Sequence, residues 1–312
     1  MKKNGFRAVL AALFLVLLST SVWAAEMLVP VGRAVGLELE AAGLAVAELD
    51  AQLGAHARDA GLEVGDIIIK ADGQAVPNAA ALQEAVDRSK GGLVLTVLRN
   101  GEEMNVTVTP VEHEGRRRLG IYVREGIAGV GTVTYYDPET GAFGALGHGV
   151  SDAHGNLLPL QAGSAMEAEI ISVKKGRAGT PGQLQGSFQK DAVLGELEKN
   201  TRCGIFGVTS AGWAGIPLPV AEVSQIHTGP ATILSNVTGT EVQEYSVEIL
   251  KLYPGEKACG RNLLLHVTDA ALLEATGGIV QGMSGSPIIQ DGKFIGAVTH
   301  LSLIHISEPT RH

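Results

Sequence analysis

Apolar and polar positions alternate over much of this chain, and turn residues break the alternation into short runs. From Glu26 to Pro110, the runs Val35–Leu39, Leu44–Leu49, Asp66–Ala71, Leu93–Leu98 and Met104–Val108 read as strands. Asp72-Gly73 and Asn100-Gly101 between them are two-residue hairpin signals. One segment changes period. Leu82, Ala85 and Val86 recur at helical spacing, which predicts a helix over Ala79–Ser89 with Asn78, after Pro77, as its N-cap. From Val111 onward, strand patterns continue at Gly126–Thr134, Phe143–Val150, Glu169–Val173, Cys203–Val208, Val247–Leu252, Asn262–Val267 and Phe294–Thr299, with a turn at Pro138–Gly141. Only Asp191–Asn200 and Asp269–Thr276 predict helix in this half. The expected protein is mostly β, with folded units at 26–110 and 111–300.

The first 25 residues follow a different pattern. Lys2, Lys3 and Arg7 precede an uninterrupted apolar run of 11 residues, Ala8 to Leu18. Ser19, Thr20 and Ser21 follow, then Val22-Trp23-Ala24, a small-x-small cleavage pattern. A spanning helix needs about 20 apolar residues, so an export signal fits better. The interrupting residues carry only hydroxyls, so an uncleaved membrane anchor reaching Trp23 stays open beside it. A buried N-terminal helix is the third reading.

Composition narrows the function classes. Apolar residues make up 45% of 312, enough for a core, which excludes general disorder. The net charge is -9 and the one basic cluster is Arg116-Arg117-Arg118, which argues against a nucleic-acid partner. The 41 glycines fit a turn-rich β fold. Two cysteines, Cys203 and Cys259, build no disulfide framework or structural zinc site, and the sequence leaves their pairing open. No metal or cofactor is implied.

Ala60-Gly61-Leu62-Glu63-Val64-Gly65-Asp66-Ile67-Ile68, followed by Asp72-Gly73-Gln74, resembles the signature of PDZ domains. The resemblance implies peptide binding by strand addition, in a groove between Val35–Leu39 and the Ala79–Ser89 helix. Gly32, Arg33, Val35 and Gly36 fall where such domains carry their carboxylate-binding loop. Free N–H groups there can hold a carboxylate, and Arg33 adds charge. The plain alternative is that Gly32 and Gly36 only shape a turn.

The chemistry is expected after Val111. Gly282-Met283-Ser284-Gly285-Ser286-Pro287, ahead of apolar Ile288-Ile289 and the Asp291-Gly292 turn, places a serine in a glycine-rich turn before a strand. Trypsin-like peptidases present their nucleophile this way, with the N–H groups of Gly282 and Ser284 converging as an oxyanion hole. The plain alternative is a Gly/Ser-rich hairpin loop. Upstream, Gly147-His148-Gly149 sets a histidine between glycines at the end of an apolar strand, a suitable general base. His154 sits in a His-Gly turn that reads as exposed, and His227, His266 and His300 are weaker base candidates without a comparable glycine frame. An acid to orient the imidazole is expected at Asp269, 15 residues before Ser284. Its alternative role is N-cap of the helix that follows. Asp137 and Asp152 compete by residue type.

The export signal, the PDZ-like unit and the strings LGHG, VTD and QGMSGSP together resemble the stage IV sporulation protein B family, serine peptidases of endospore-forming bacteria. The resemblance covers the chain to about His300, including Gly126–Asp137 and Thr180-Pro181-Gly182. It implies a trypsin-like double β-barrel with His148, Asp269 and Ser284 as the catalytic set. It further implies export from the forespore into the intermembrane space, possession of a protein substrate there (the extracellular part of a membrane-bound sporulation regulator), and self-cleavage near the N-terminus under PDZ control. The acid-to-serine interval is shorter than in typical trypsin-like enzymes and matches this family. Residues 301–312, LSLIHISEPTRH, depart from the family's ending and look like sequencing-adapter read-through, which predicts a missing closing strand. The competing class is an exported PDZ adaptor whose peptidase-like half is inert.

Overall fold

A computed structural model describes residues 26–151, 155, 157–177, 179–253 and 261–300. The expected signal segment, Asp152, His154, Cys259 and the tail after His300 lie outside these residues. No helix among the described residues is long and apolar enough to cross a membrane.

The N-terminal elements are β1 (Met27–Leu49), α1 (Ala55–Asp59), β2 (Ile67–Ala71), β3 (Gln74–Ala75), α2 (Ala79–Arg88), β4 (Leu93–Arg99) and β5 (Glu102–Val108). Next come β6 (Val111–His113), β7 (Arg116–Arg118), β8 (Ile121–Tyr136), β9 (Ala142–Leu146), β10 (Leu160–Lys174), β11 (Gln183–Thr201) and β12 (Gly204–Val208). The last are β13 (Leu218–Pro219), β14 (Gly229–Ser235), β15 (Gln243–Leu252), β16 (Leu263–Val267), α3 (Ala270–Thr276), β17 (Pro287–Gln290) and β18 (Lys293–Ala297).

Local signals set many of these boundaries. Asp72 and Asn100 take φ of 47° and 53° and each is followed by a positive-φ glycine, the backbone of two-residue hairpin turns. The Asn78 side chain accepts the Ala81 N–H at the start of α2, and that helix buries Leu82, Ala85 and Val86.

The strands β1, β8, β9, β12, β11 and β10 pair antiparallel in that order, and β10 returns to β1. That return closes a six-stranded barrel. Val35, Leu37, Leu39, Val133, Phe143, Leu197 and Ile205 fill one core in it. β1 then continues past an irregularity between Glu40 and Ala45 into a second region, where Leu44 and Ala45 pair with β2. There α2, β2, β4 and β5 enclose their own core, including Leu44, Ile68, Leu95 and Val97. The other large sheet runs β16-β15-β14-β17-β18, with Ile233, Val247, Leu272 and Met283 in its core. Among the described residues, the expected double barrel takes the form of one closed barrel and one open sheet.

Asp191–Asn200 is strand, part of β11, rather than the expected helix. Its Leu, Glu and Lys favour helix intrinsically, but pairing to β10 on one side and β12 on the other overrides that preference. Gly195 is the local clue, because a Cβ there would press on the Val208 carbonyl and the Phe143 ring. Cys203 is disulfide-bonded.

One ion pair anchors the Gly61–Asp66 turn to β4. Asp66 is 1% exposed and receives Arg99 Nε at 2.7 Å and Nη2 at 2.6 Å, while Arg99 Nη1 reaches Glu63 at 2.6 Å and Nη2 also donates to the Gly61 carbonyl. Removing the guanidinium strands a buried carboxylate. Arg99→Met is therefore expected to destabilise the protein by about 3 kcal/mol or more. Glu63→Gln, at a carboxylate 59% exposed, is expected to cost under about 1 kcal/mol. Thermal melts of the two variants beside the parent check this; equal shifts would contradict it.

Candidate active site

Ser284 sits in the turn between α3 and β17, anchored from below by Met283, which is fully buried. The Met283 N–H donates to the Val280 carbonyl, and the Ser286 N–H to the Met283 carbonyl, so the turn folds on itself. The Gly285 N–H donates to the Val298 carbonyl at 2.7 Å, tying the turn to the end of β18. Two carbonyls beside the expected oxyanion hole are also held. Leu184 N–H donates to Gln281 O at 2.8 Å, and Thr132 Oγ1 donates to Gly282 O at 2.7 Å. Among the described residues, nothing accepts the Gly282 or Ser284 N–H, which leaves both available to an anion.

His148 follows β9. Gly147, with φ of 128°, packs against Ser284 so closely that a Cβ on it would overlap the Ser284 Oγ. The His148 Nδ1 lies 3.3 Å from the Gly149 carbonyl. A carbonyl can only accept, so this contact favours the tautomer with the proton on Nδ1 and a free lone pair on Nε2. Ser284 Oγ donates to the Thr299 carbonyl at 3.2 Å.

Ser284 and His148 line one cleft of about 790 Å³ between the barrel and the open sheet. Leu37, Leu39, Ile127, Val130, Leu184 and Val280 supply apolar walls, and Gln183, Gln185, Thr299 and His300 polar ones. His300, the weaker base candidate without a glycine frame, also lines this cleft. Burial, then the neighbouring Arg261 and His148, hold its pKa below the usual histidine value.

Asp269 is not among the residues lining the cleft. Its Oδ1 accepts the Leu272 N–H at 2.9 Å, capping α3, and Oδ2 lies 3.4 Å from the Ser246 N–H. Asp137 is occupied by its own turn, accepting from Glu139 N–H and Thr140 Oγ1. The hydrogen bonds from Thr140 and then Glu139 keep its carboxyl below the ordinary aspartate range.

The expected peptide-binding residues lie elsewhere than in an open groove. Both edges of Val35–Leu39 are taken, by β8 and by β10, so no strand can be added there. Val35 is fully buried, Gly36 packs on Phe188, Gly32 packs on Leu234, and Arg33 pairs with Glu167 at 3.3 Å. The periodicity identified a strand correctly but not its neighbours. The strand lying near α2 is Ile121–Glu125 of β8, whose Glu125 side chain accepts the Ala79 N–H at 2.7 Å. Among the described residues, this stretch pairs only with β1.

Missed by sequence reasoning were Thr132, Leu184 and the Thr299 carbonyl. The Pro181-Gly182 turn was a signal for one of them. Gly182 O accepts the Gln281 N–H at 2.9 Å, beside the Leu184 contact.

Comparison with known proteins supports a serine peptidase. A stretch of 93 residues is 41% identical to a probable periplasmic serine endoprotease DegP-like protein of Halomonas elongata, covering 28% of this chain. The chain spans only 19% of that relative's length. The SpoIVB peptidase S55 profile matches residues 115–311, which contain β8, His148 and the serine turn. The chain belongs to the SpoIVB peptidase S55 family.

Proposed function

We propose that the chain is a regulated serine endopeptidase, with Ser284 as nucleophile, His148 as general base and Asp269 as the acid that supports the imidazole. The observation that carries this reading is the shared cleft: Ser284 and His148 line it together, with two unoccupied N–H groups beside the serine. Ser284 Oγ would leave the Thr299 carbonyl, pass its proton to His148 Nε2 and attack the scissile carbonyl. The developing oxyanion would be received by Gly282 and Ser284 N–H. Asp269 enters from its place in the chain, between β16 and α3 and shortly before the serine turn.

The substrate in this reading is the extracellular part of a membrane-bound regulator of sigma-factor processing. The setting is the space between forespore and mother cell, and the chain also cuts its own N-terminal segment. Family membership and the signal-like first 25 residues support this. The N-terminal unit is read as a PDZ-type regulator that binds peptide along Ile121–Glu125 beside α2. A second cavity, of about 540 Å³, supports control from this unit, since Ile67, Leu98, Asn100 and Gly101 line it together with His148.

The adaptor alternative is separated from the enzyme by a fluorophosphonate. The folded protein is expected to gain one adduct on Ser284, detected by mass, and Ser284→Ala none. Absence of the adduct from folded parent protein would favour the adaptor. Ser284→Ala is also expected to abolish self-cleavage while melting at nearly the parent temperature.

Asparagine caps helices as well as aspartate, so Asp269→Asn keeps α3 capped and removes only the charge. It is expected to cut activity severely, though less than Ser284→Ala, with little change in melting temperature. Full activity in Asp269→Asn would assign Asp269 to the cap alone. Gly147→Ala is expected to displace the nucleophile and lower kcat by about 100-fold or more, since misplacement of a reacting group by about 1 Å costs that much. Unaltered self-cleavage in Gly147→Ala would contradict the packing of Gly147 on Ser284.

A further inference from the structure

We propose that Thr132 and Thr134 of β8 are positioning residues that hold the serine turn and the histidine segment in catalytic register. The inference rests on the assignment of Ser284 and His148 made above. The two threonines are two apart on one strand, so their side chains leave the same face. Both are buried, at 2% and 0% exposure, and Val133 between them is buried in the barrel core.

Each hydroxyl serves a different half of the machinery. Thr132 Oγ1 donates to Gly282 O at 2.7 Å, and Leu146 N–H donates to Thr134 Oγ1 at 2.9 Å. Gly282 lies two residues before the nucleophile and Leu146 two before the base. One rigid strand thus grips two segments that are far apart in sequence, and it does so through groups whose shape valine would match. A hydroxyl on such a buried face carries a desolvation cost unless it is bonded, and here each is bonded to a catalytic segment.

Peptide planarity turns the first contact into control of the oxyanion hole. In a trans peptide, the N–H points opposite to the carbonyl. Leu184 holds the Gln281 carbonyl, which fixes the direction of the Gly282 N–H in the same peptide. Thr132 holds the next carbonyl, Gly282 O, while the Met283 N–H of that same peptide donates to the Val280 carbonyl, so the chain between the two hole amides is pinned from both sides. Without its hydroxyl, the Gly282–Met283 peptide keeps only the bond from the Met283 N–H to the Val280 carbonyl, and the stretch between the two hole amides is held less firmly. The loss should fall on the chemical step, because the hole is used as charge develops.

Fluorophosphonate labelling reads that step. Ser284 Oγ forms a bond to phosphorus as fluoride leaves, the hydroxyl proton goes to His148, and the phosphoryl oxygen lies in the hole. Labelling rates would be measured against probe concentration for the full chain and for Thr132→Val, Thr132→Ala and Thr132→Ser, with Thr134→Ala and Thr134→Ser alongside. The maximal rate is expected to fall on the order of 10- to 100-fold in the variants without a hydroxyl and to stay within about 3-fold of the parent in the serine variants, with the half-saturating probe concentration little changed. Serine and alanine both lack the methyl group, so this pair isolates the hydroxyl even if valine fails to fold. Equal rates for the Ala and Ser variants at both positions would overturn the inference while leaving Ser284 as nucleophile. Failure of the folded parent to label at Ser284 would instead overturn the catalytic assignment, and the inference with it.

Discussion

The whole arrangement depends on β1 being bonded along both edges. Val35–Leu39 pairs with β8 on one side and β10 on the other, and this double pairing turns a sheet into a closed barrel. Closure removes the free edges that an open sheet would present and gives β8 a fixed place. β8 carries Thr132 and Thr134 and leads through a short turn into β9, which ends just before His148. The same strand continues past Glu40 to pair with β2, so the N-terminal unit grows out of the barrel wall rather than hanging from a linker. A rearrangement among β2, β4 and α2 therefore has a short mechanical route to the wall that supports the base.

The site itself is governed by close approach. Ser284 belongs to the turn before β17 and His148 to the segment after β9, and the two can meet only where backbone nearly touches side chain. Gly147 provides that place: its positive φ and missing Cβ let the histidine segment pass directly over the serine oxygen. The opposite requirement holds a few ångströms away, where Gly282 and Ser284 need N–H groups that nothing consumes. Among the described residues the neighbouring carbonyls are bonded while those amides are not, so the turn is held without filling its own anion site. Preorganisation of this kind avoids reorientation of dipoles when charge appears.

What the sequence made legible was local. Asp72-Gly73, Asn100-Gly101 and the Asn78 cap depend on a few neighbouring residues, and the structure forms them where the pattern put them. The glycine-framed serine and histidine were legible for the same reason. Contacts between distant segments were not. Nothing in Asp191–Asn200 tells that two barrel neighbours will claim its edges, and nothing in Val35–Leu39 tells that β10, more than a hundred residues on, will occupy the edge reserved for a peptide. Thr132 and Thr134 read as ordinary strand residues until Gly282 and Leu146 come to rest on them.

Asp269 shows how one carboxylate can be weighed between two roles. The Gly149 carbonyl already favours one tautomer of His148, which is part of what a catalytic acid does. A neutral carbonyl, however, offers little to the imidazolium that forms when the base takes a proton, whereas a carboxylate stabilises it directly. Releasing Asp269 from the α3 cap would cost about 1 kcal/mol. Replacing the acid of a serine triad by its amide costs roughly 10⁴-fold in kcat, about 5.5 kcal/mol, much of it through the wrong imidazole tautomer. The kinetic figure concerns the transition state alone, so it sets how much an acid at this place could contribute without moving the side chain from its cap in the free protein.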